Sequence, residues 1–325
     1  MIHRFAVAIG AGCAAAFLFA VSAQSSPLAM ALAYLAPLPI MIATMGWGID
    51  AGATAAVVSV AGLTLLAEPL TGLLYAASVA APAWLLAAGA VAPLTRYLPA
   101  RSPSGPTFAS VGAIVTVAAT IGMLGAGAVL TAIILLYGGY AEGAKQAATA
   151  LAALANDALE AKDVDQARVF AEALVRFGPA AIAASTLLML SVNLYAAARS
   201  TQLSHRLQRP WPDLPTSLRL PWPLGAVAVV CAVCAYALPA PASQYFSIGA
   251  GGLGTAFVLQ GLAVAHALSR GLKLRVVMLV ALYACCVLRA PYTLPVLAAL
   301  GLVDAFARLR TRAAFLPSPK PTSHR

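Results

Sequence analysis

Residues 108–137 read FASVGAIVTVAATIGMLGAGAVLTAIILLY, thirty consecutive positions without a charged side chain. A helix needs about 20 apolar residues to cross the hydrocarbon core of a bilayer, and this run can do so with tilt. Gly122, Gly125 and Gly127, together with Thr116 and Thr120, are small residues of the kind that let helices approach closely in lipid. Nine more apolar runs lie on either side of it, at 5–22, 28–45, 51–67, 71–92, 178–198, 222–238, 245–268, 276–288 and 291–307. Pro37 and Pro39 should kink the second run and free backbone carbonyls, and Pro82 sits near the middle of the fourth.

The whole composition agrees. Of 325 residues, 62% are hydrophobic and 9% are charged, against about 25% charged in soluble domains. Mean hydropathy is +0.88. Lipid can cover such a surface without a polar shell. The fold class expected is all-α: a polytopic transmembrane bundle of about ten helices, or nine if the first is a cleaved signal. The first run has the form of such a signal, a basic start followed by an apolar centre and Val21-Ser22-Ala23, and either outcome delivers Gln24 to the outer side.

The bundle, residues 1–310, should form a single domain with two distinctive insertions. Residues 141–176 are alanine-rich and hold six of the ten acids, with Leu151, Leu154 and Leu159 near helical spacing. They are expected to make one or two amphipathic helices outside the bilayer core, lying on the surface or capping a cavity. Residues 199–221 form a basic, proline-containing loop, and 311–325 a basic tail expected to be disordered.

Charge sets the orientation. With the N-terminus inside, the inner segments receive Arg4; Arg96 and Arg101; Arg199, Arg206, Arg209 and Arg219; Arg270, Lys273 and Arg275; and five basic residues from Arg308 onward. These are fifteen of the 20 lysines and arginines, as the positive-inside rule requires. Both termini are therefore expected in the cytoplasm and the chain in a bacterial inner membrane. The net charge of +10 is a topology signal; no basic stripe lies on a soluble domain, so nucleic acid is not an expected partner.

Reactive constellations are missing from the sequence. There is no H-E-x-x-H, no Walker A sequence, and no acid within five positions of His266. The glycines near 249–254 follow no predicted strand and make no dinucleotide fingerprint. Cys231 and Cys234 form a C-x-x-C inside an apolar run with no second pair, and they read as small packing residues. No catalytic residue, metal or cofactor is expected.

Polar groups inside spans are costly and usually face the bundle interior. Gln260, Asn193 and His266 are the candidate ligand-binding residues, each weighed against an interhelical hydrogen bond or interfacial placement. Asp304 stands four residues before Arg308, the spacing of an ion pair along the last helix. Trp47, Trp211 and Trp222 fit interface anchoring.

SVNLYAAAR at 191–199, the following LQRPWPDLP, FVLQGLAVAHALSRG at 257–271 and LGLVDAFARLR at 300–310 together resemble the YybS-like family of bacterial membrane proteins (domain of unknown function DUF2232). LAPLPIMIATMGWG at 35–48 fits as well, so the likeness spans nearly the whole chain. The resemblance makes Asn193, Gln260 and Asp304 family landmarks. It also implies a distant similarity to substrate-binding subunits of energy-coupling-factor transporters, which have fewer helices. The expected function is a solute-binding or transport-type component; a non-catalytic scaffold of envelope biogenesis is the alternative. Expected partners are the lipid bilayer, a small or amphiphilic solute, and energising or envelope-assembly proteins.

Overall fold

The structure, a computed structural model, describes residues 2–24, 26–93, 108–159, 164–207 and 209–310, the side chains of 154–167 excepted. The loop 94–107, the acidic centre of 141–176 and the tail 311–325 lie outside the described residues. Among those described, eight helices are long and apolar enough to cross a membrane, and Trp222–Ala237 and Arg275–Leu288 are shorter apolar helices. Each of the ten runs read from the sequence is helical, so the chain is a multi-pass membrane protein.

The first half comprises α1 (Ile2–Ala20), α2 (Pro27–Tyr34), α3 (Pro37–Trp47), α4 (Ile49–Leu66), α5 (Pro69–Tyr75) and α6 (Ala81–Val91). Proline explains its irregularities. The second run breaks at Leu35–Ala36, and Pro37 opens α3 in the first turn, where its missing N–H costs nothing. Ahead of Pro82 a π-turn at Ala76–Ala80 joins α5 to α6, with the Ala81 N–H reaching Ala76 O. Gly48 links α3 to α4 at φ 111°, a conformation open to glycine.

The second half comprises α7 (Val111–Leu136), α8 (Tyr140–Leu159), α9 (Val164–Leu203), α10 (Leu214–Ser217), α11 (Trp222–Ala237), α12 (Ala242–Leu268), α13 (Arg275–Leu288) and α14 (Ala290–Ala307). The expectation for 141–176 needs one correction. Its first part is the separate helix α8, but its second part is no independent helix: it continues through Pro179 into the sixth span. The resulting 40-residue helix α9 is about 60 Å long, roughly twice the hydrocarbon thickness. Its N-terminal part packs on α8, beside a cavity of 860 Å³ lined by Tyr140, Lys145, Arg168 and Gln244.

The core is built largely of alanine with leucine, valine and glycine. Lipid is as apolar as leucine, so helices associate through close packing, which small residues allow. The tightest case joins α12 to α14. A Cβ on Gly261 would meet the Leu297 carbonyl, and one on Gly301 would meet the Phe257 carbonyl. α9 bridges the halves by packing on α3, α7 and α12, while α13 lies at the periphery with no buried residue. Large side chains such as Leu66, 89% exposed, are left for lipid to cover. We expect Gly301→Ala to lower the midpoint of unfolding in a denaturing-detergent titration, by about 1–3 kcal/mol of overpacking. Gly89→Ala, with open space around it, should leave the midpoint unchanged; equal midpoints for both variants would refute the close crossing.

Candidate functional site: a clamped strap and the cavity above it

The basic loops gather at one face. There the chain leaves α9, turns at His205 (φ 53°) and returns as a strap, residues 209–220, lying across the ends of α7 and α12. Its centre is the single turn α10, preceded by Asp213 at the N-cap. Thr216 Oγ1 donates to Asp213 Oδ2 at 2.8 Å, and Arg270 Nη2 donates to Asp213 Oδ1 at 2.6 Å. These bonds hold the Asp213 carboxyl below the usual carboxylate range, with Arg270 the larger influence.

A buried polar cluster fixes the other end of the strap. Arg310 Nη1 donates to Pro215 O and Nη2 to Leu218 O, both at 2.6 Å. The same guanidinium reaches Asp304 Oδ2 through Nη2 at 2.6 Å and Nε at 3.1 Å. Gln260 completes the cluster: its Oε1 accepts from Leu220 N at 2.7 Å, and its Nε2 donates to Asp304 Oδ2 at 3.0 Å and to Gly301 O at 3.1 Å. The side chains of Arg310 and Asp304 are each 3% exposed. The expected pairing of Asp304 with Arg308 is therefore corrected to Arg310. The helix ends at Ala307, Arg308 adopts a left-handed conformation (φ 50°, ψ 48°), and the reversal swings Arg310 back over Asp304.

Above the strap lies a cavity of 730 Å³. Val111, Ile114 and Val115 of α7 and Leu259 and Leu262 of α12 form an apolar wall. The polar part of the lining comes from Arg199 and Gln202 of α9, Arg209, Trp211 and Asp213 of the strap, and His266. His266 Nε2 shares a 2.9 Å hydrogen bond with the Tyr283 hydroxyl, and Arg199 donates to Gln202 Oε1 at 2.9 Å.

Of the three residues singled out from the sequence, His266 lines this cavity. Gln260 is wholly buried behind the wall, both its amide nitrogen and its oxygen engaged within the protein. Asn193 faces α2 and repairs the proline break. The Tyr34 carbonyl would ordinarily accept from Leu38, but that N–H goes to Leu35 O, and Pro37 has none to offer. Asn193 Nδ2 supplies the missing donor at 2.8 Å and also bonds Met189 O at 2.7 Å. Sequence reading treated Arg209 and Arg310 as topology signals and Trp211 as an anchor; only the density of prolines and aromatics in QRPWPDLP set that loop apart.

Breaking a buried ion pair by removing one partner costs about 3–5 kcal/mol, whereas removing both charges costs far less. Arg310→Met and Asp304→Leu should each depress stability strongly in the same titration. The double variant is expected to lose much less than the sum of the two. Strict additivity would show that the charges do not act as a unit.

The family model described as predicted membrane protein (DUF2232) matches residues 13–305. No curated protein and no solved structure matches. The matched span takes in Asn193, the strap, Gln260, His266 and Asp304, and ends before Arg310. By a match over most of its length, the chain belongs to the DUF2232 family of predicted membrane proteins.

Proposed function

We propose that this protein is a solute-binding or transport-type component of the bacterial inner membrane, and that the cavity above the strap takes an amphiphilic molecule. The single observation carrying this reading is the cavity's mixed lining: aliphatic side chains of α7 and α12 together with Arg199, Arg209, Trp211 and His266. Ligand sites combine mostly apolar walls with a few convergent polar groups, and a volume of 730 Å³ falls in the range of small-molecule pockets. In this reading the basic face is cytoplasmic, both termini lie there, and the cavity opens near the inner leaflet. The chain carries no Walker A sequence, so active movement of the ligand would draw energy from a partner or a gradient. His266 and Tyr283 take the role of ligand contacts, while Gln260 and Asn193 hold the frame.

The scaffold alternative relies on the basic loops being free to recruit partners. Arg199, Arg206 and Arg219 are exposed, but Arg209 is 7% exposed and lines the cavity, which favours the binding reading for that residue. Purification in mild detergent followed by native mass spectrometry tests it. Wild-type protein is expected to retain an amphiphile-mass adduct. Leu262→Trp, which fills the cavity from α12, should lose that adduct while keeping its unfolding midpoint. A wild-type protein free of adduct, or a folded Leu262→Trp that keeps it, would sink the proposal.

A further inference from the structure

We infer that the polar part of this cavity's lining is an anion subsite, built by Arg209 and Trp211 with Arg199 beside them, that takes the phosphate-type head of an amphiphile. The inference rests on the binding reading above and names the chemistry of the ligand's head.

Arg209 is 7% exposed, yet it is poorly matched by the protein around it. Nη1 donates to Ala90 O, while Nε is buried with no partner among the described residues. The ion pairs found there are Arg168–Glu172, Arg270–Asp213 and Arg310–Asp304, none of which involves Arg209. Asp213 lines the same cavity, but its carboxylate is engaged by Arg270 and Thr216. Two residues along the strap, Trp211 Nε1 is likewise buried without an acceptor. An indole N–H donates only, and guanidinium hydrogens donate only. Both of those atoms are sealed from the cavity, but Arg209 Nη2 is neither sealed nor hydrogen-bonded among the described residues, so the cavity-lining guanidinium keeps a donor and a positive charge without a carboxylate partner there.

Arg310, which clamps the strap from beyond α14, provides the contrast. Its guanidinium makes four hydrogen bonds and has a carboxylate partner. A buried cation left unmatched is costly, and an oxyanion with several acceptor oxygens removes that cost. Guanidinium groups favour such oxyanions because two parallel N–H donors match two oxygens. The rings of Phe108 (4.9 Å) and Trp211 (5.6 Å) against the Arg209 carbon hold its plane in place. Arg199, on the last turns of α9, lines the same cavity and adds a second positive charge. Phe108, on which Arg209 stacks, stands three residues before Val111, and Val111, Val115 and Leu259 line the same cavity, so a head on Arg209 places an attached chain among them. Basic pockets between membrane helices are known to take anionic lipid heads.

The test uses the full chain in detergent with two probes of equal acyl length, lysophosphatidic acid and a monoacylglycerol. Wild-type protein is expected to bind the phosphate-bearing probe at least about tenfold more tightly. Arg209→Gln should abolish that preference. Trp211→Ala, which removes the ring over Arg209, should weaken binding of lysophosphatidic acid about fivefold and leave the monoacylglycerol unaffected, whereas Trp211→Phe, which keeps a ring there, should retain the preference. Competition by inorganic phosphate would identify a free phosphate as a sufficient ligand, and absence of competition a lipid head; each is consistent with an anion subsite. Equal binding of the two probes by the wild type, or an intact preference in folded Arg209→Gln, overturns the subsite while leaving amphiphile binding standing. Failure of both probes to bind overturns both readings.

Discussion

The arrangement of the basic face depends on one buried ion pair, Asp304 with Arg310. Two charges taken out of water are tolerable only when their remaining donors and lone pairs are satisfied. The cluster meets that condition by recruiting backbone: Pro215 O and Leu218 O for the guanidinium, and Gln260 for the carboxylate. Gln260 in turn reaches Gly301 O and Leu220 N because α12 and α14 cross where Gly261 and Gly301 leave room. Close packing of glycines, burial of the pair and position of the strap are thus one linked requirement. A buried pair contributes little net stability, and here its effect is to specify where residues 215–220 lie.

That positioning gives the cavity its floor. Residues 209–220 would otherwise be a proline-rich connection between spans, free to sample many conformations. Anchored by Asp213–Arg270 at one end and by Arg310 and Gln260 at the other, the strap presents Arg209 and Trp211 toward the apolar wall of α7 and α12. The two arginines of the strap region have different consequences. Arg310 is saturated by the protein itself, whereas Arg209 keeps unspent donor capacity beside an aliphatic surface. One fixes structure and the other faces the space in which a ligand can sit.

Elsewhere the fold manages backbone groups that proline sets loose. No water in the bilayer core can receive a freed carbonyl, so another side chain or an altered turn has to. Asn193 donates to Tyr34 O at the α2–α3 break, and the π-turn at Ala76–Ala80 absorbs Pro82. These repairs tie α9 to the first half and let the irregular spans pack as one bundle.

Much of this protein is legible in the sequence, for a definite reason. The bilayer demands long apolar stretches and penalises charge, so the ten apolar runs and the clustering of basic loops are one-dimensional signals. The prolines of the second and fourth spans foretell their breaks because proline acts on its own turn. The roles of the polar residues are different. Asp304 has an arginine at the helical spacing, Arg308, and another at an unhelical one, Arg310; the left-handed turn after Ala307 decides between them. Gln260 and Asn193 stand out as buried polar residues, but which carbonyls they meet depends on segments 41 and 159 positions away, respectively. Arg209 is one basic residue among four in its loop, and only the folded strap separates it from its neighbours. Hydrophobicity adds along the chain and can be read there; hydrogen-bond satisfaction is a property of groups converging in space, and tertiary structure alone assigns it.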